Sequence, residues 1–184
     1  MKKATHDLLK RIFSVLKPPP DLTLSEWADE YRRLSPESSA EPGRWRTSKA
    51  PYQREIMDAI TDIKTQKVVV MSAAQLGKTD GFILNPIGYY MHYDPSPILV
   101  LQPTIQMAES FSKDRLTPML RDTPVLRDKV NDKSRNSGNT ILQKIFPGGH
   151  VSMVGANSSS SLASRPIRIL LADEIGRPSR RGVD

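Results

Sequence analysis

Residues 67–80 read KVVVMSAAQLGKTD, and this stretch decides the fold. Its apolar first half predicts a buried strand over residues 67–72. Gly77, Lys78 and Thr79 match the end of the phosphate-loop pattern G-x-x-x-x-G-K-[ST], and Ser72 stands where that pattern has its first glycine. A small serine tolerates such a tight turn better than a branched side chain would. The stretch therefore predicts a strand, a phosphate loop and the start of a helix.

A phosphate loop needs backbone N–H groups, a cation and a hydroxyl in this order. The N–H groups of residues 74–78 can surround phosphate oxygens at a helix N-terminus. Lys78 can neutralise charge on the β- and γ-phosphates, and the Thr79 hydroxyl can bind Mg²⁺. A chance Gly-Lys-Thr on a strand-to-helix turn explains the motif about as well, so the rest of the chain has to decide.

Composition sets broad limits on the class of protein. The 184 residues suffice for one globular domain with a core. No apolar run approaches the roughly 18 residues of a membrane-spanning helix, so we expect no membrane segment. The chain has no cysteine, which excludes disulfides and thiolate metal sites and fits a reducing compartment. The net charge of +7 favours a polyanionic partner, although charge alone is a weak argument.

Apolar periodicity predicts helices and strands that alternate along the chain. A hairpin, or two strands that meet at a glycine turn, is predicted around Pro147-Gly148-Gly149, and the helix after the loop is expected to be bent or displaced at Asn85-Pro86. Continuous apolar strands of this kind are typical of parallel sheets covered by helices. The predicted helices span residues 2–17, 24–34, 51–63, 78–92 and 104–120, and the predicted strands after the loop span 97–102, 140–146, 150–154 and 167–172.

Several features leave two interpretations open. The amphipathic helix over residues 2–17 either docks a partner or packs on its own domain. Trp45, between two arginines, either stacks on a base or fills the core. Gln53 can offer its amide to the adenine edge of a nucleotide or remain a solvated side chain. The charged stretch 121–139 fits a solvated surface better than a phosphate-binding one, because acidic and basic residues alternate there.

A second motif follows about ninety residues after the loop. The apolar strand IRILLA, residues 167–172, ends at Asp173-Glu174. In this arrangement the aspartate holds Mg²⁺, usually through water, and the glutamate polarises the attacking water. Arg165, at the end of the serine-rich loop 155–166, is a candidate for stabilising charge on the γ-phosphate. The two motifs together favour an ATP-hydrolysing protein over chance.

The pair of motifs predicts an α/β fold. We expect a P-loop NTPase domain of the RecA-like class, a three-layer sandwich with a mostly parallel central sheet. Strands 67–72, 97–102 and 167–172 form the parallel centre in this prediction, and helices cover both faces. ATP and Mg²⁺ are the expected cofactors.

The sequence also resembles the N-terminal ATPase region of lambda-type terminase large subunits, the DNA-packaging motors of tailed phages. The resemblance extends over about residues 22–174 and rests on LSPESSAEPGRWRTSKAPYQREIMDAI, VVVMSAAQLGKTD, ILVLQPTIQMAESFSKDRLTPMLRDTP, SRNSGNT, FPGGH and GANSSSSLASRPIRILLADE. It implies Gln53 for adenine recognition, Asp173 for Mg²⁺ and Glu174 for catalysis. It also implies a phosphate loop formed by Ser72, Ala73, Ala74, Gln75, Leu76, Gly77, Lys78 and Thr79.

The same resemblance implies partners and a location. Members of this family package double-stranded DNA, engage a small terminase subunit through the N-terminal arm, meet the portal of the procapsid and work as oligomers in the cytoplasm of the bacterial host. Many relatives carry a basic residue at the start of the phosphate loop, where this chain has Ser72. Neutralisation of phosphate charge would then rest on Lys78 alone.

The resemblance also divides the chain. We expect a helical arm over residues 1–34 and a partial, C-terminally truncated ATPase domain over residues 35–184, with the family's nuclease domain absent. One alternative is a truncated prophage remnant that binds nucleotide, DNA or a partner without turnover. Another is a helicase-like ATPase, which shares both motifs and a Pro-Thr after the second strand.

Overall fold

The computed structural model describes residues 21–130, 138–157 and 166–174. The predicted helix over residues 2–17 and the candidate Arg165 lie outside these ranges. Within them, no helix is long and apolar enough to span a membrane.

Six α-helices and two π-helical turns form the helical part of the described chain. Thr23 caps the first helix by accepting from the backbone N–H of Glu26, whose side chain accepts from the Thr23 N–H in return. The helices are α1 (Leu24–Tyr31), α2 (Gln53–Thr61), α3 (Asn85–His92), α4 (Ile105–Phe111), α5 (Thr117–Asp122) and α6 (Pro124–Arg127). A 3₁₀ turn lies at Thr47–Lys49.

Both π-helical turns lead directly into a proline. The turn Asp80–Leu84 runs into α3 at Asn85-Pro86, and the turn Ser112–Leu116 runs into α5 at Thr117-Pro118. Proline has no N–H and its ring crowds the carbonyl four residues earlier, so a wider turn accommodates it. The displacement predicted at Asn85-Pro86 is therefore present as a π turn, and the predicted helix 104–120 is interrupted in the same way.

A four-stranded mixed sheet lies at the centre. Two further short strands, β1 (Arg33–Leu34) and β2 (Gly43–Arg44), form a separate antiparallel pair. The sheet strands are β3 (Ile98–Gln102), β4 (Gln143–Phe146), β5 (Gly149–Gly155) and β6 (Ile169–Ala172), in the order β4-β5-β3-β6. β3 is parallel to both of its neighbours, and β4 and β5 form the predicted hairpin. The prediction of a mixed α/β fold is confirmed.

The predicted strand over residues 67–72 is wrong. These residues form neither a strand nor a helix, and Val69 and Met71 have 75% and 99% of their surface exposed. A strand needs a neighbour that completes its hydrogen bonds, and an apolar run does not say where that neighbour lies. The prediction has strands 67–72, 97–102 and 167–172 at the parallel centre of the sheet. In the structure β3 lies between β6 and β5, so β5 takes the place expected for residues 67–72.

The core lies between the sheet and the helices. Trp27 of α1, Met57 of α2 and Met91 of α3 are completely buried in it, together with Ile98 and Val100 of β3. Trp45 is also buried and donates its Nε1–H to the Thr47 hydroxyl, so the core interpretation of this side chain is confirmed.

Candidate nucleotide-binding site

The loop over residues 72–79 leads into the helix that ends as α3. Helical geometry begins at Lys78, and residues 73–77 are exposed. Gln75 and Gly77 adopt the left-handed region with φ of 62° and 72°, whereas Ser72 does not. The left-handed backbone conformation that favours glycine therefore occurs at Gln75 and Gly77. Residue 72 does not adopt it, which explains why a serine is tolerated at the position of the first glycine.

The two motifs meet in space. The Thr79 hydroxyl lies 3.5 Å from Oδ2 of Asp173, although the two residues are 94 positions apart. Asp173 follows β6 directly, and its backbone N–H donates to the Leu101 carbonyl of β3 at 3.0 Å. The parallel pairing of β3 with β6 thus fixes the carboxylate at the sheet edge that faces the loop.

Asp173 is held in an environment that disfavours its negative charge. Burial raises the pKa of its carboxyl, and the neighbouring Glu174 raises it further, while the Lys78 ammonium opposes the increase. Glu174 itself has a left-handed backbone with φ of 54°, which turns the chain sharply at the end of β6. A divalent cation next to these carboxylates would stabilise the ionised form of Asp173.

Two oxygen ligands from the protein suit Mg²⁺. This ion prefers oxygen ligands and usually keeps several water or phosphate ligands. The Thr79 hydroxyl and the Asp173 carboxylate, 3.5 Å apart, would hold the ion together, the carboxylate directly or through a water ligand. Among the described residues there is no cluster of three or more His, Cys, Asp or Glu side chains that could hold a metal. Thr79 and Asp173 therefore suit a Mg²⁺ ion whose remaining ligands are phosphate oxygens and water.

Gln53 lies beneath the loop. It is 2% exposed, and its Nε2 donates to the Leu76 carbonyl at 2.7 Å. The hydroxyl of Tyr52 donates to the same carbonyl at 3.0 Å. Adenine recognition by Gln53 remains a prediction: its amide nitrogen donates to the loop, while its buried Oε1 has no hydrogen-bond partner among the described residues.

Sequence reasoning missed an ion pair behind the loop. Arg32, 1% exposed, places Nη2 3.1 Å from Oδ1 of Asp80, the residue after Thr79. Its Nε donates to Oδ1 of the buried Asn85 at 3.1 Å, and Arg115 lies 4.0 Å from the second Asp80 oxygen. Burial lowers the pKa of Arg32 to about 10 and raises that of Asp80, against their mutual attraction. The sequence pattern does not predict this pair, because an arginine at the end of a helix is normally expected to be exposed to solvent.

The structure thus brings most of the predicted site together. Lys78, Thr79, Asp173 and Glu174 converge, with the loop 72–76 beside them and Gln53 below. The candidate Arg165 lies outside the described residues, so its role stays a prediction.

The sequence matches one protein family and two curated relatives. Residues 39–181 match the family described as "Phage terminase large subunit gpA, ATPase domain". The chain is 28% identical to the terminase large subunit of Enterobacteria phage P21 over 166 residues, which are 89% of this chain and 25% of that protein. It is also 28% identical to the terminase large subunit of Escherichia phage lambda over 179 residues, 95% of this chain and 27% of that protein.

The chain spans about a quarter of the length of these curated relatives. No solved structure matches it. The family match covers well over half of the chain and includes the loop, β3, the β4–β5 hairpin and β6. The chain therefore belongs to the family of ATPase domains of phage terminase large subunits.

Proposed function

We propose that this chain is the ATP-binding and ATP-hydrolysing part of a motor that packages double-stranded viral DNA. The observation that carries the proposal is the 3.5 Å approach of the Thr79 hydroxyl to the Asp173 carboxylate. It joins a phosphate loop to a strand-end carboxylate, the two elements that nucleotide hydrolysis in P-loop proteins requires. In this proposal the domain is a P-loop NTPase of the RecA-like class with a three-layer architecture.

Each residue of the site has a proposed role. The N–H groups of the loop and the Lys78 ammonium bind the β- and γ-phosphates of ATP. Thr79 and Asp173 hold Mg²⁺, which when bound neutralises charge that develops on the phosphates. Glu174 orients and polarises the attacking water, and Arg165 remains the candidate for stabilising the γ-phosphate.

The proposed partners follow from charge and family membership. Duplex DNA would be contacted through its phosphates, so binding would weaken with salt and show little sequence preference. The net charge of +7 supports this. A small terminase subunit at the N-terminal arm, the portal of a procapsid, and further copies of the chain complete the proposed assembly in the bacterial cytoplasm.

Nucleotide binding is tested first, with Mg·ATP and the full chain in a calorimetric titration. Lys78→Ala removes a charge-assisted contact to phosphate and is expected to weaken binding about 30-fold or more. Lys64→Ala, at an exposed lysine in the turn after α2, is the matched control and should bind as the wild type does. Equal affinity in the Lys78 and Lys64 variants would overturn the proposal.

Hydrolysis is tested separately by steady-state release of phosphate. Glu174→Gln keeps the shape of the side chain and removes the carboxylate, so the rate should fall at least about 100-fold. Glu55→Gln, on the exposed side of α2, is the control.

A second candidate function is nucleotide binding without turnover. The position of residues 67–72 outside the sheet favours it, because the loop then lacks a strand that anchors its N-terminal side. Equal phosphate release by wild type and Glu174→Gln, together with tight Mg·ATP binding, would establish this second function over the first.

A further inference from the structure

We propose that Arg32 is a positioning residue for Thr79, because its buried guanidinium bridges the two ends of the π-helical turn that follows this threonine. The bridge fixes the turn and thereby holds the Thr79 hydroxyl opposite Asp173. The inference rests on the proposed function, since it assumes that Thr79 and Asp173 bind Mg²⁺ together with a nucleotide.

One wide hydrogen bond closes this π turn. The backbone N–H of Asn85 donates to the carbonyl of Asp80, five residues earlier. The turn before it has ordinary α geometry, with the Gly81 N–H bonded to the Gly77 carbonyl at 2.9 Å. Since Asp80 follows Thr79 directly, the helix changes its winding immediately after the threonine.

Arg32 bonds the side chains of the same two residues whose backbone groups close the turn. Its Nη2 lies 3.1 Å from Asp80 Oδ1, and its Nε donates to Asn85 Oδ1 at 3.1 Å. A guanidinium holds its N–H donors in one rigid plane. Two bonds from that plane therefore fix the distance between the two ends of the turn.

Asp80 is also approached from the second π-helical turn. Arg115, which belongs to the turn Ser112–Leu116, lies 4.0 Å from Asp80 Oδ2 and donates to the Ser38 carbonyl at 2.9 Å. Each carboxylate oxygen of Asp80 thus faces an arginine from a different segment. The residue that follows Thr79 is held from two sides.

The winding of the turn sets the direction of the Thr79 side chain. Successive residues of an α-helix are rotated by about 100°, so a return of the π turn to α geometry would rotate Thr79 relative to α3 by about that angle. The hydroxyl would then leave its place 3.5 Å from Asp173. Pro86 crowds the α-helical alternative but has no donor that could hold Asp80 or Asn85.

Stability alone is a weak explanation for Arg32. The side chain is 1% exposed, and removal of a guanidinium and a carboxylate from water costs about as much free energy as their attraction returns. An apolar pair fills such a space equally well in many proteins. It cannot supply directional bonds to two given residues, which is the property that the bridge uses.

The test measures how much Mg²⁺ strengthens the binding of ADP to the full chain, by calorimetric titration in Mg²⁺ and in EDTA. A partly unfolded variant weakens both dissociation constants by the same factor, which cancels in their ratio. Arg32→Lys keeps the charge, but one ammonium does not reproduce the planar fork. We expect the strengthening by Mg²⁺ to fall about fivefold or more.

Coupling to Thr79 separates positioning from general damage. Thr79→Ala removes the hydroxyl, so adding Arg32→Lys to it should change the ratio by less than about twofold. Arg121→Lys makes the same chemical change at an exposed arginine paired with Asp122 and should leave the ratio unchanged.

A second variant keeps the test decisive if Arg32→Lys does not fold. Asn85→Leu removes the acceptor at the other end of the bridge and leaves Arg32 and Asp80 in place. We expect it to lower the strengthening by Mg²⁺ by about threefold or more.

The inference and the proposed function fail in distinguishable ways. Wild-type ratios in Arg32→Lys and Asn85→Leu would refute the positioning role alone, and so would a fall that persists in full in the Thr79→Ala background. A wild type that binds ADP no more tightly with Mg²⁺ than in EDTA would refute the proposed function, and the positioning role with it.

Discussion

Gly88 of α3 lies so close to Trp27 of α1 that a Cβ at this glycine would be 2.3 Å from the indole Cη2. The indole is completely buried, and its Nε1–H donates to Nδ1 of His92 at 3.0 Å, so the ring is held from two sides. The packing of α1 on α3, the helix that follows the loop 72–79, therefore depends on the absence of a side chain at Gly88.

Gly88→Ala should destabilise the fold. Helix propensity alone predicts a gain of about 1 kcal/mol for this change, whereas forcing a methyl group into a filled core costs about 1–3 kcal/mol. We expect the steric term to win and urea denaturation to show a net loss. In a Trp27→Phe background, where the clashing atoms are gone, the loss should shrink or reverse. A higher urea midpoint for Gly88→Ala alone would show that the indole moves aside.

The pair of Arg32 and Asp80 allows a second stability test. Removing one partner of a buried pair leaves the other charge unpaired, so Arg32→Met should cost about 3 kcal/mol or more. Burial shifts the pKa values of both residues toward the neutral forms, which indicates that desolvation outweighs attraction. The double variant Arg32→Met/Asp80→Leu should therefore recover part of the loss, and it should stay about 1–3 kcal/mol below wild type because the buried Asn85 Oδ1 has lost its donor.

The exposed pair of Arg168 and Asp94 is the control for this test. Its atoms lie 2.9 Å apart, but the two side chains are 58% and 40% exposed. Arg168→Met should change the free energy of unfolding by at most about 1 kcal/mol. Equal losses for Arg32→Met and Arg168→Met would mean that burial does not determine the cost of losing the arginine.

Local patterns predicted the elements that local physics determines. The apolar runs 97–102 and 167–172 appear as β3 and β6 with ends shifted by one or two residues, and the glycine turn 147–149 gives the hairpin. The carboxylate at Asp173 could be placed because it follows its strand directly. Each of these inferences used neighbouring residues only.

Contacts between segments that are distant in sequence could not be predicted from local patterns. The sequence does not say that β5 would pair with β3 in parallel, nor that Gln53 would be buried against Gly77 and Gly81. The valines of 67–72 predicted a buried strand because apolar runs usually are buried. A strand also needs a neighbouring strand to complete its hydrogen bonds, and a local stretch of sequence does not show whether such a neighbour is present.

Met71 tests the correction of that strand. With 99% of its surface exposed, Met71→Ala should change the free energy of unfolding by no more than about 0.5 kcal/mol. The same substitution at the completely buried Met57 should cost about 2–5 kcal/mol. Urea denaturation of both variants gives the comparison. A large loss at Met71 would restore the buried strand over residues 67–72.

Asp173→Asn should stabilise the free protein at neutral pH. Burial and Glu174 raise the pKa of this carboxyl above its model-peptide value of 3.8, so the folded chain binds the proton more tightly than the unfolded chain does. The resulting stabilisation is complete below that value and is lost as the pH rises through the raised pKa. The asparagine variant escapes this loss, so its advantage in melting temperature should be present at about pH 7 and shrink toward about pH 4.

Addition of Mg·ADP should reverse the order of the melting temperatures of wild type and Asp173→Asn. Under the proposed function Mg·ADP would bind next to the ionised carboxylate and stabilise the wild type by mass action, whereas Asp173→Asn would gain less because it lacks the charged ligand. Asp114→Asn, at an exposed carboxylate on the turn 112–116, controls for the change in net charge. Melting curves of the three proteins, with and without Mg·ADP, provide the measurement. An Asp173→Asn variant that melts below wild type at neutral pH without ligand would show that the carboxylate stabilises the fold, contrary to its raised pKa.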